Sequence, residues 1–498
     1  MTARDRRFVC AALAAAFVAW PAAGVAQTAL ADCHVAGIRN GVFCGRVERP
    51  LDPEHPGRGT ISIEYVVVPA MARRKIADPV FMLAGGPGQS AVAIAASTMP
   101  LFARLNNRRD IVFVDQRGTG GSAPLLCKDE ESESLAEQSE PDRQFRLAVQ
   151  CKVDLLKLPY IRSENDLGFF TTSIAVQDLD AVRRQLGAER IDLVGGSYGT
   201  RVALEYLRQY PKAVRRTVLD GVAPPDMVLP ASFSTDNQAA FDSLAAACAA
   251  SSECARAHPS LSARFAALLQ SLPKAASGVQ PLTGRDEKFT LTRDMVLAAV
   301  RGALYSPPLA SALPEAIDAA ARGDLRGLLG LNATFFAKKS ARLATGMHLS
   351  VVCAEDVPRP PLASDRPGAD FGNASARMYQ KLCSIWPRGA VPGAFYGITL
   401  SSSPALVLSG GIDPVTPPRH GERVARALGP MARHVVVANA GHGVMAIGCM
   451  RDVVFRFIDA TTDADAKAVD TGCAARVPRP PAFESIRPVA TAASEAAR

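Results

Sequence analysis

Short apolar segments alternate with amphipathic helical segments along most of the chain, and this alternation limits the possible folds more than any other feature. Seven runs rich in β-branched residues and bounded by turn residues predict buried parallel strands: 61–68, 79–83, 110–114, 190–194, 214–219, 405–408 and 434–437. Between them, segments such as 172–186 and 200–210 predict helices that end at Gly187 and Pro211. The order predicts an α/β protein with a doubly wound, mostly parallel sheet.

The alternation is interrupted once. Over residues 224–403 the strand signal disappears and Ala/Leu-rich helical segments replace it, as at 241–250, 261–272 and 293–304. We therefore expect a helical cap inserted at 224–403 between two parts of one core. The expected core parts are 27–223 and 404–476, and the Pro-, Ala- and Arg-rich residues 477–498 are expected to be a mobile tail.

Composition excludes several classes of protein. With 498 residues, 48% apolar and 21% charged, the chain can fill a sizeable core and is not of a disordered or fibrous type. The net charge of +8 comes without a lysine-rich run interleaved with aromatic residues, so we expect no nucleic-acid partner.

The amino terminus has the three parts of a secretory signal. Three arginines within the first seven residues precede an apolar run over 8–20, followed by Pro21 and small residues up to Ala26. A membrane anchor is the alternative, but Pro21 and the many alanines make the run too short and too weakly apolar. We predict a signal peptide over 1–26 and a secreted or periplasmic protein, without a membrane partner after cleavage.

Ten cysteines remain after residue 26, an even number suited to an oxidising compartment. Pairing in chain order closes the shortest loops. The chain contains neither C-x-x-C nor H-E-x-x-H, so a metal site is the weaker alternative, and no cofactor is predicted. The predicted disulfides are Cys33–Cys44, Cys127–Cys151, Cys248–Cys254, Cys353–Cys383 and Cys449–Cys473.

A candidate nucleophile follows one predicted strand. Residues 195–199, Gly-Gly-Ser-Tyr-Gly, match the pattern G-x-S-x-G between a strand and a helix, where a sharp turn exposes the serine hydroxyl. The flanking glycines suit a crowded, strained turn that leaves no room for β-carbons. We predict that Ser197 is the nucleophile; the alternative is a glycine-rich turn that only caps a helix.

The candidate base and acid come later in the chain, in the order serine, acid, histidine that commonly accompanies a G-x-S-x-G nucleophile. His442 follows the last predicted strand in a loop, whereas His434 opens a strand and His420 lies near a helix start. Asp413, directly after the strand at 405–408, is the predicted acid. Asp220 is the alternative acid, and a turn-forming aspartate or a loop histidine bonded to backbone is the structural alternative.

The segment 84–88, Ala-Gly-Gly-Pro-Gly, also follows a strand. Its backbone N–H groups could stabilise an oxyanion, and we predict that the amides of Gly86 and Tyr198 do so. An ordinary turn is the alternative. Asp115 and Arg117 are expected to brace this loop through an ion pair with each other and are excluded from the catalytic set.

Three motifs in order, at 85–88, 115–122 and 195–199, resemble the signature of the prolyl and tripeptidyl aminopeptidase family of α/β-hydrolase serine peptidases. The resemblance runs from about residue 61 to residue 473. The predicted signal and paired cysteines resemble its secreted tripeptidyl branch more than the cytoplasmic prolyl enzymes. Ala84 departs from the histidine usual there in prolyl enzymes, which argues against strict proline specificity.

The resemblance implies that a helical cap covers the site and that carboxylates near it bind the free α-amino group of a peptide. Glu355 and Asp356 are the candidates, because an ammonium in a partly buried cleft needs a fixed anion. A solvated surface pair is the alternative.

The predicted triad indicates acyl transfer, and the resemblance implies a secreted serine aminopeptidase that cleaves peptides with a free N-terminus through an acyl-enzyme. A secreted esterase or other acyl hydrolase of the same fold is the alternative, because the fold and nucleophile do not determine the leaving group. A binding module that has kept a hydrolase fold is disfavoured, because every required group is present.

Overall fold

Nine strands form one central sheet in the computed structural model, which describes residues 30–127, 134–336 and 343–483. The strand order is β1-β2-β3-β5-β4-β6-β7-β10-β11, and β8 and β9 form a separate pair. The strands are β1 Ala31–Cys33, β2 Val42–Pro50, β3 Thr60–Val68, β4 Val80–Leu83, β5 Ile111–Val114, β6 Ile191–Gly196, β7 Val214–Asp220, β8 Lys274–Val279, β9 Asp286–Leu291, β10 Ala405–Gly410 and β11 Ala432–Val437.

Helices connect these strands and form most of the chain between β7 and β10. They are α1 Ala91–Asn106, α2 Leu135–Gln138, α3 Arg143–Leu155, α4 Thr172–Gln185, α5 Tyr198–Gln209, α6 Ala231–Ala250, α7 Ser252–Ala257, α8 Leu261–Gln270, α9 Arg293–Leu304, α10 Pro307–Ala310, α11 Leu313–Ala321, α12 Arg326–Phe336, α13 Thr345–Glu355, α14 Ala374–Cys383, α15 Pro418–Leu428, α16 Met450–Asp459 and α17 Asp463–Lys467.

Both faces of the sheet are buried, which explains the continuous apolar runs in the sequence. In β4, Phe81 and Leu83 point into one hydrophobic cluster, whereas Val80 and Met82 point into the other. Alternate residues of a strand face opposite sides, so a strand covered on both sides has to be apolar throughout. The predicted α/β class with a mostly parallel, doubly wound sheet is confirmed.

One predicted strand has the wrong direction. The segment 61–68 forms β3, but β3 pairs antiparallel with both β2 and β5, whereas β5, β4, β6, β7, β10 and β11 run parallel to one another. Short connections join β1, β2 and β3, and a short connection allows only antiparallel neighbours. An apolar run does not by itself encode strand direction.

The segment 224–403 contains more than helices. The hairpin of β8 and β9 lies within it, and Phe289 and Leu291 of β9 pack into the same hydrophobic cluster as α9 and α11. The prediction that the strand signal is absent there is therefore wrong. The side chains of β8 are mostly small, and only every second one is partly buried, so the strand lacks the apolar run that predicts a buried strand.

The predicted signal peptide over 1–26 lies outside the described residues. The expected mobile tail is bound where it is described: the Phe483 N–H donates to the Ser311 carbonyl at 2.8 Å, and the Asn439 side chain donates to the Val477 carbonyl at 2.9 Å. Within the described ranges, none of the helices has the length and apolarity needed to span a bilayer.

The five predicted disulfide bonds are all present in the structure, with the predicted pairing in chain order. The Cys353–Cys383 bond joins the end regions of α13 and α14. Each bond spans at most 30 residues of sequence.

Candidate active site

Ser197 lies in the turn between β6 and α5, with a backbone φ of 55° and ψ of −124°. A non-glycine residue in such a conformation is strained, and this strain is typical of a serine held out at the top of an α/β sheet. A β-carbon on Gly199 would overlap the carbonyl oxygen of Leu83 in the neighbouring strand β4. The local sequence therefore needs glycine after the serine so that the helix can start close to β4.

Asp413 and His442 meet after β10 and β11. Nδ1 of His442 lies 2.8 Å from Oδ2 of Asp413, whose side chain is buried. The other carboxylate oxygen of Asp413 accepts hydrogen bonds from the N–H groups of Val415 and Thr416, each at 2.9 Å. These bonds fix the carboxylate, and His442 Nε2 makes no hydrogen bond within the described part of the chain.

The two side chains shift each other's pKa. Burial acts to lower the pKa of His442, but the charge of Asp413 and its hydrogen bond outweigh burial and raise that pKa above the usual value. Burial acts to raise the pKa of Asp413, but the charge and hydrogen bond of His442 and the two backbone N–H groups hold it below its ordinary value. The arrangement keeps the carboxylate ionised and makes the imidazole a stronger base.

Thr416 is a site residue that the sequence reasoning missed. Its hydroxyl donates to Oδ2 of Asp413 at 2.7 Å and lies 3.0 Å from Nδ1 of His442. The signal that could have found it is its position three residues after the acid, where a threonine hydroxyl can bond back to an aspartate in a turn.

Asp220, the alternative acid, is not hydrogen-bonded to His442. Its carboxylate accepts the N–H groups of Val444 and Met445, in the loop after His442, at 2.8–3.0 Å. Its backbone carbonyl accepts the N–H of Ser197 at 2.8 Å. Asp220 therefore joins the serine turn to the histidine loop, which favours Asp413 as the acid.

The predicted oxyanion donors lie beside the serine. A β-carbon on Gly85 would be 3.2 Å from the β-carbon of Ser197, so the 84–88 loop contacts the serine turn directly. Gly86 has a φ of +115°, and Tyr198 is the first residue of α5. Within the residues that the structure describes, neither amide N–H has a hydrogen-bond acceptor. Both are therefore available to bind an oxyanion.

Asp115 and Arg117 do not form the expected ion pair with each other. The Asp115 carboxylate accepts bonds from the Ser90 hydroxyl and the N–H groups of Val92 and Gly121. Arg117 is fully buried and forms a bidentate pair with Asp178 at 2.6 and 2.9 Å. Asp115 thus holds the start of α1, directly after the glycine loop, while Arg117 anchors a different part of the core.

The other candidate histidines are also occupied elsewhere. His434 Nε2 lies 2.9 Å from the Ser409 hydroxyl, and His420 Nε2 lies 3.0 Å from Oδ2 of Asp236. Neither histidine contacts Asp413, which agrees with the choice of His442.

Glu355 and Asp356 are both fully buried, so the alternative of a solvated surface pair is wrong. Asp356 forms a bidentate pair with Arg201 at 3.0 Å, and Glu355 lies 3.4 Å from the same guanidinium. Both carboxylates already have a cationic partner inside the protein. The geometry therefore does not support the expected contact with a substrate ammonium.

Glu355 instead supports the residue that supplies one oxyanion amide. Its carboxylate accepts the N–H and hydroxyl of Thr172 at 2.7 and 3.0 Å, and the Thr172 hydroxyl lies 2.5 Å from the Tyr198 hydroxyl. Burial raises the pKa of Glu355 to about 7, against the charge of Arg201 and the bonds of Thr172. Sequence spacing could not show this, because Arg201 and Thr172 lie more than 150 residues away.

The segment between β7 and β10 contacts the site on two sides. On one side, the carbonyl of Tyr305 accepts the N–H of His442 at 2.9 Å, and the two rings pack edge to face with centroids 5.1 Å apart. On the other side, the N–H of Ala344 donates to the Gly88 carbonyl at 2.8 Å, and His348 Nδ1 lies 3.0 Å from the Pro87 carbonyl.

A strained serine, a glycine loop beside it and a histidine–aspartate pair, all at the carboxyl ends of parallel strands, are typical of serine hydrolases with this fold. The chain belongs to the alpha/beta hydrolase fold family, which it matches over residues 78–446.

Curated relatives include both peptidases and esterases. The chain is 26% identical over 427 residues to the serine protease Hip1 of Mycobacterium tuberculosis, covering 78% of this chain and 80% of that protein. It is 29% identical over 425 residues to carboxylesterase B of the same species, covering 78% of each. A tripeptidyl aminopeptidase of Streptomyces coelicolor is 29% identical over 192 residues, which are 37% of this chain and 36% of that protein.

Proposed function

We propose that the protein is a secreted serine aminopeptidase, of the prolyl or tripeptidyl type, with Ser197, His442 and Asp413 as its catalytic triad. The observation that carries this proposal is the 2.8 Å contact between His442 Nδ1 and Asp413 Oδ2, beside a serine in a strained strand–helix turn. The contact leaves Nε2 of the imidazole as the basic nitrogen.

In the proposed reaction, Ser197 Oγ attacks the scissile carbonyl and its proton passes to His442 Nε2. The Gly86 and Tyr198 amides stabilise the oxyanion, and the imidazolium next to Asp413 returns the proton to the leaving amine as the C–N bond breaks. Water then attacks the acyl-enzyme with His442 as base, which releases the acid and restores the serine. The residues alone suffice for this chemistry, and the proposal includes no metal or organic cofactor.

The contacts of the 224–403 segment support cleavage near a chain end. Tyr305 touches the histidine loop, while Ala344 and His348 touch the glycine loop, so inserted residues contact both loops that carry the proposed base and oxyanion donor. A site enclosed in this way favours short peptides or chain ends over an internal stretch of a folded protein. The names of two relatives, a serine protease and a tripeptidyl aminopeptidase, agree with peptide substrates.

An esterase is the second candidate, and a specific observation favours it. Carboxylesterase B is similar over 78% of this chain, and an ester places no demand on the triad that an amide does not. An aminopeptidase differs from an esterase in that it must recognise a free amine. Glu355 and Asp356 offer no unpaired carboxylate for that amine, because both are paired with Arg201.

The deciding experiment compares free and N-acetylated aminoacyl, dipeptidyl and tripeptidyl chromogenic amides, with 4-nitrophenyl esters alongside. Cleavage that requires a free amine and is lost in Ser197→Ala would support the aminopeptidase, and the preferred length would show how many residues leave. A His34→Gln variant, altered at an exposed histidine, is the control for His442→Gln. Equal cleavage of blocked amides, or cleavage of esters alone, would reject the aminopeptidase in favour of a different acyl hydrolase.

A further inference from the structure

A cation without a carboxylate partner stands one helical turn before Tyr305, whose ring packs on the proposed catalytic base. Arg301, on α9, is half-buried and forms neither an ion pair nor a hydrogen bond within the described part of the chain. Arginines of similar burial elsewhere are paired: Arg215 binds Asp192 at 2.7 Å, and Arg423 binds Asp226. Arg301 lies in the last turn of α9, where the helix dipole favours a cation, but no carboxylate compensates the hydration that the half-buried guanidinium loses, so it can bind an anion when the protein acts.

The helix places Arg301 on the side of the catalytic histidine. Tyr305, four residues later, directly follows α9, and residues four apart lie on the same face of a helix. The Tyr305 ring packs edge to face on His442 with centroids 5.1 Å apart. Arg301 therefore lies one helical turn behind a ring that touches the base.

A second phenol connects Arg301 with the glycine loop. The Tyr379 hydroxyl lies 2.8 Å from His348 Nε2, and His348 Nδ1 lies 3.0 Å from the Pro87 carbonyl. Burial raises the pKa of Tyr305 to about 12 and also raises that of Tyr379, and in both phenols the positive charge of Arg301 opposes this effect. The guanidinium thus acts on two rings near the site: Tyr305, which packs on the base, and Tyr379, which is linked to the oxyanion loop through His348.

The acids around this position are already used. Asp413, whose charge also acts on Tyr305, is hydrogen-bonded to His442 and Thr416, and Asp356 is paired with Arg201. Asp294, the acid on α9, lies two turns away from Arg301 along the helix. The local charge that faces the site from α9 is therefore positive.

We propose that Arg301 binds a carboxylate of the substrate on the leaving-group side of the scissile bond. His442 delivers its proton to the leaving group, and Arg301 lies behind the ring that packs on His442, so a leaving group with a carboxylate extends toward the guanidinium. For a peptidase, this selects short peptides whose C-terminal carboxylate closely follows the scissile bond. The inference rests on the proposed serine hydrolase chemistry but not on the aminopeptidase specificity.

The test uses leaving groups that differ only in charge. Alanyl anilides of 4-aminobenzoate and 4-aminobenzamide are compared, together with acetyl esters of 4-hydroxybenzoate and 4-hydroxybenzamide, so that an esterase can also be measured. The readout is the ratio of kcat/KM for the anionic over the neutral member, compared between proteins so that the intrinsic reactivity of each leaving group cancels. The variants are Arg301→Gln and Arg301→Lys, with Arg190→Gln as an exposed arginine control.

We expect Arg301→Gln to lower this ratio about tenfold, as loss of a charge-assisted hydrogen bond predicts. Arg301→Lys should have a ratio between those of Arg301→Gln and the wild type, and Arg190→Gln should have the wild-type ratio. An unchanged ratio in Arg301→Gln would overturn the proposal. The proposal would also be overturned if Arg301→Gln lost only a preference for succinyl over acetyl esters of 4-nitrophenol. Arg301 would then bind a carboxylate on the acyl side of the scissile bond.

A binding measurement separates this proposal from the proposed function. Calorimetric titration of the Ser197→Ala variant with trialanine and with trialaninamide needs no turnover. Tighter binding of trialanine that disappears in the Ser197→Ala, Arg301→Gln double variant supports the carboxylate site even if no amide or ester is cleaved. Equal binding of the two peptides before and after the Arg301 change rejects it.

Discussion

Gly221 leaves the space that the imidazole of His442 occupies: a β-carbon at Gly221 would be 3.1 Å from Cε1 and 3.3 Å from Nδ1 of that ring. The same β-carbon would be 3.1 Å from the Thr416 hydroxyl oxygen. Gly221 follows Asp220, whose carbonyl accepts the Ser197 N–H. One residue therefore borders the serine turn, the base and the hydroxyl that contacts the acid.

Replacing Gly221 should separate catalysis from stability. Gly221→Ala pushes a methyl group against the imidazole, so we expect kcat/KM to fall at least about tenfold, because small misplacements of a base are costly. Gly187→Ala is the matched control, since Gly187 has a similar φ of +68° but no atom within 4 Å of its would-be β-carbon. Both variants should lose about 1 kcal/mol of unfolding free energy from the left-handed backbone. Equal activities would contradict the predicted contact.

The pH dependence of activity should reflect the raised pKa of His442. The imidazole is a base only when neutral, so kcat/KM should fall as the pH is lowered through this pKa, with a midpoint above the ordinary 6.5. Asp413→Asn removes the charge that raises the pKa, so it should shift the midpoint to lower pH and reduce kcat about 10⁴-fold. A wild-type midpoint at or below pH 6.5 would contradict this assignment.

Thr416 should act as a positioning residue for the pair. Thr416→Val keeps the shape but removes the hydroxyl that donates to Asp413, so we expect kcat to fall about tenfold with little change in KM. Thr416→Ser keeps the hydroxyl and should retain most of the activity. A shift in the acidic midpoint of Thr416→Val that is absent in Thr416→Ser would distinguish positioning from general destabilisation.

Glu355 should make stability depend on pH in an unusual direction. Its folded pKa of about 7 exceeds the ordinary 4.5, so between these values the folded protein binds a proton that the unfolded chain does not. Its contribution to the free energy of unfolding is present in full below pH 4.5 and is lost as the pH rises to 7. In the wild type this loss should lower the free energy of unfolding by about 3 kcal/mol across the window. Glu355→Gln should abolish that decrease.

Urea unfolding of the wild type, Glu355→Gln and Glu189→Gln at pH 4.5 and 7.5 measures this effect. Glu189 is exposed and serves as the control. If the wild type and Glu355→Gln had the same pH dependence, the buried carboxyl would not titrate as stated.

The sequence predicted the elements that carry strong local signals. The Gly-rich turn at Ser197, the strands on which the site stands and the order of the disulfides all depend on short-range patterns, and each is present in the structure. The pairing of His442 with Asp413 followed from chain order within a known architecture. The direction of β3 and the hairpin of β8 and β9 were missed, because the first depends on connections and the second on small residues.

The prediction that Glu355 and Asp356 bind the substrate ammonium failed for a different physical reason. Two adjacent acids near a cysteine have the same local sequence whether they face a cleft or the interior. Their environment is determined by Arg201 on α5, a residue about 150 positions earlier that also looks like an ordinary helix arginine. Burial of a charge depends on long-range pairing, which periodicity and spacing do not report.

The order of the disulfides has a consequence for how the chain can be oxidised. Each of the ten cysteines that the structure describes is bonded to its nearest cysteine partner in sequence, so none of these five crosslinks encloses or overlaps another. If the chain crosses a membrane from its N-terminus, an oxidant that joins cysteines in the order in which they emerge produces the native set directly. Overlapping crosslinks would require thiol–disulfide exchange to correct early pairs. This connectivity therefore suits vectorial export without dependence on a disulfide isomerase.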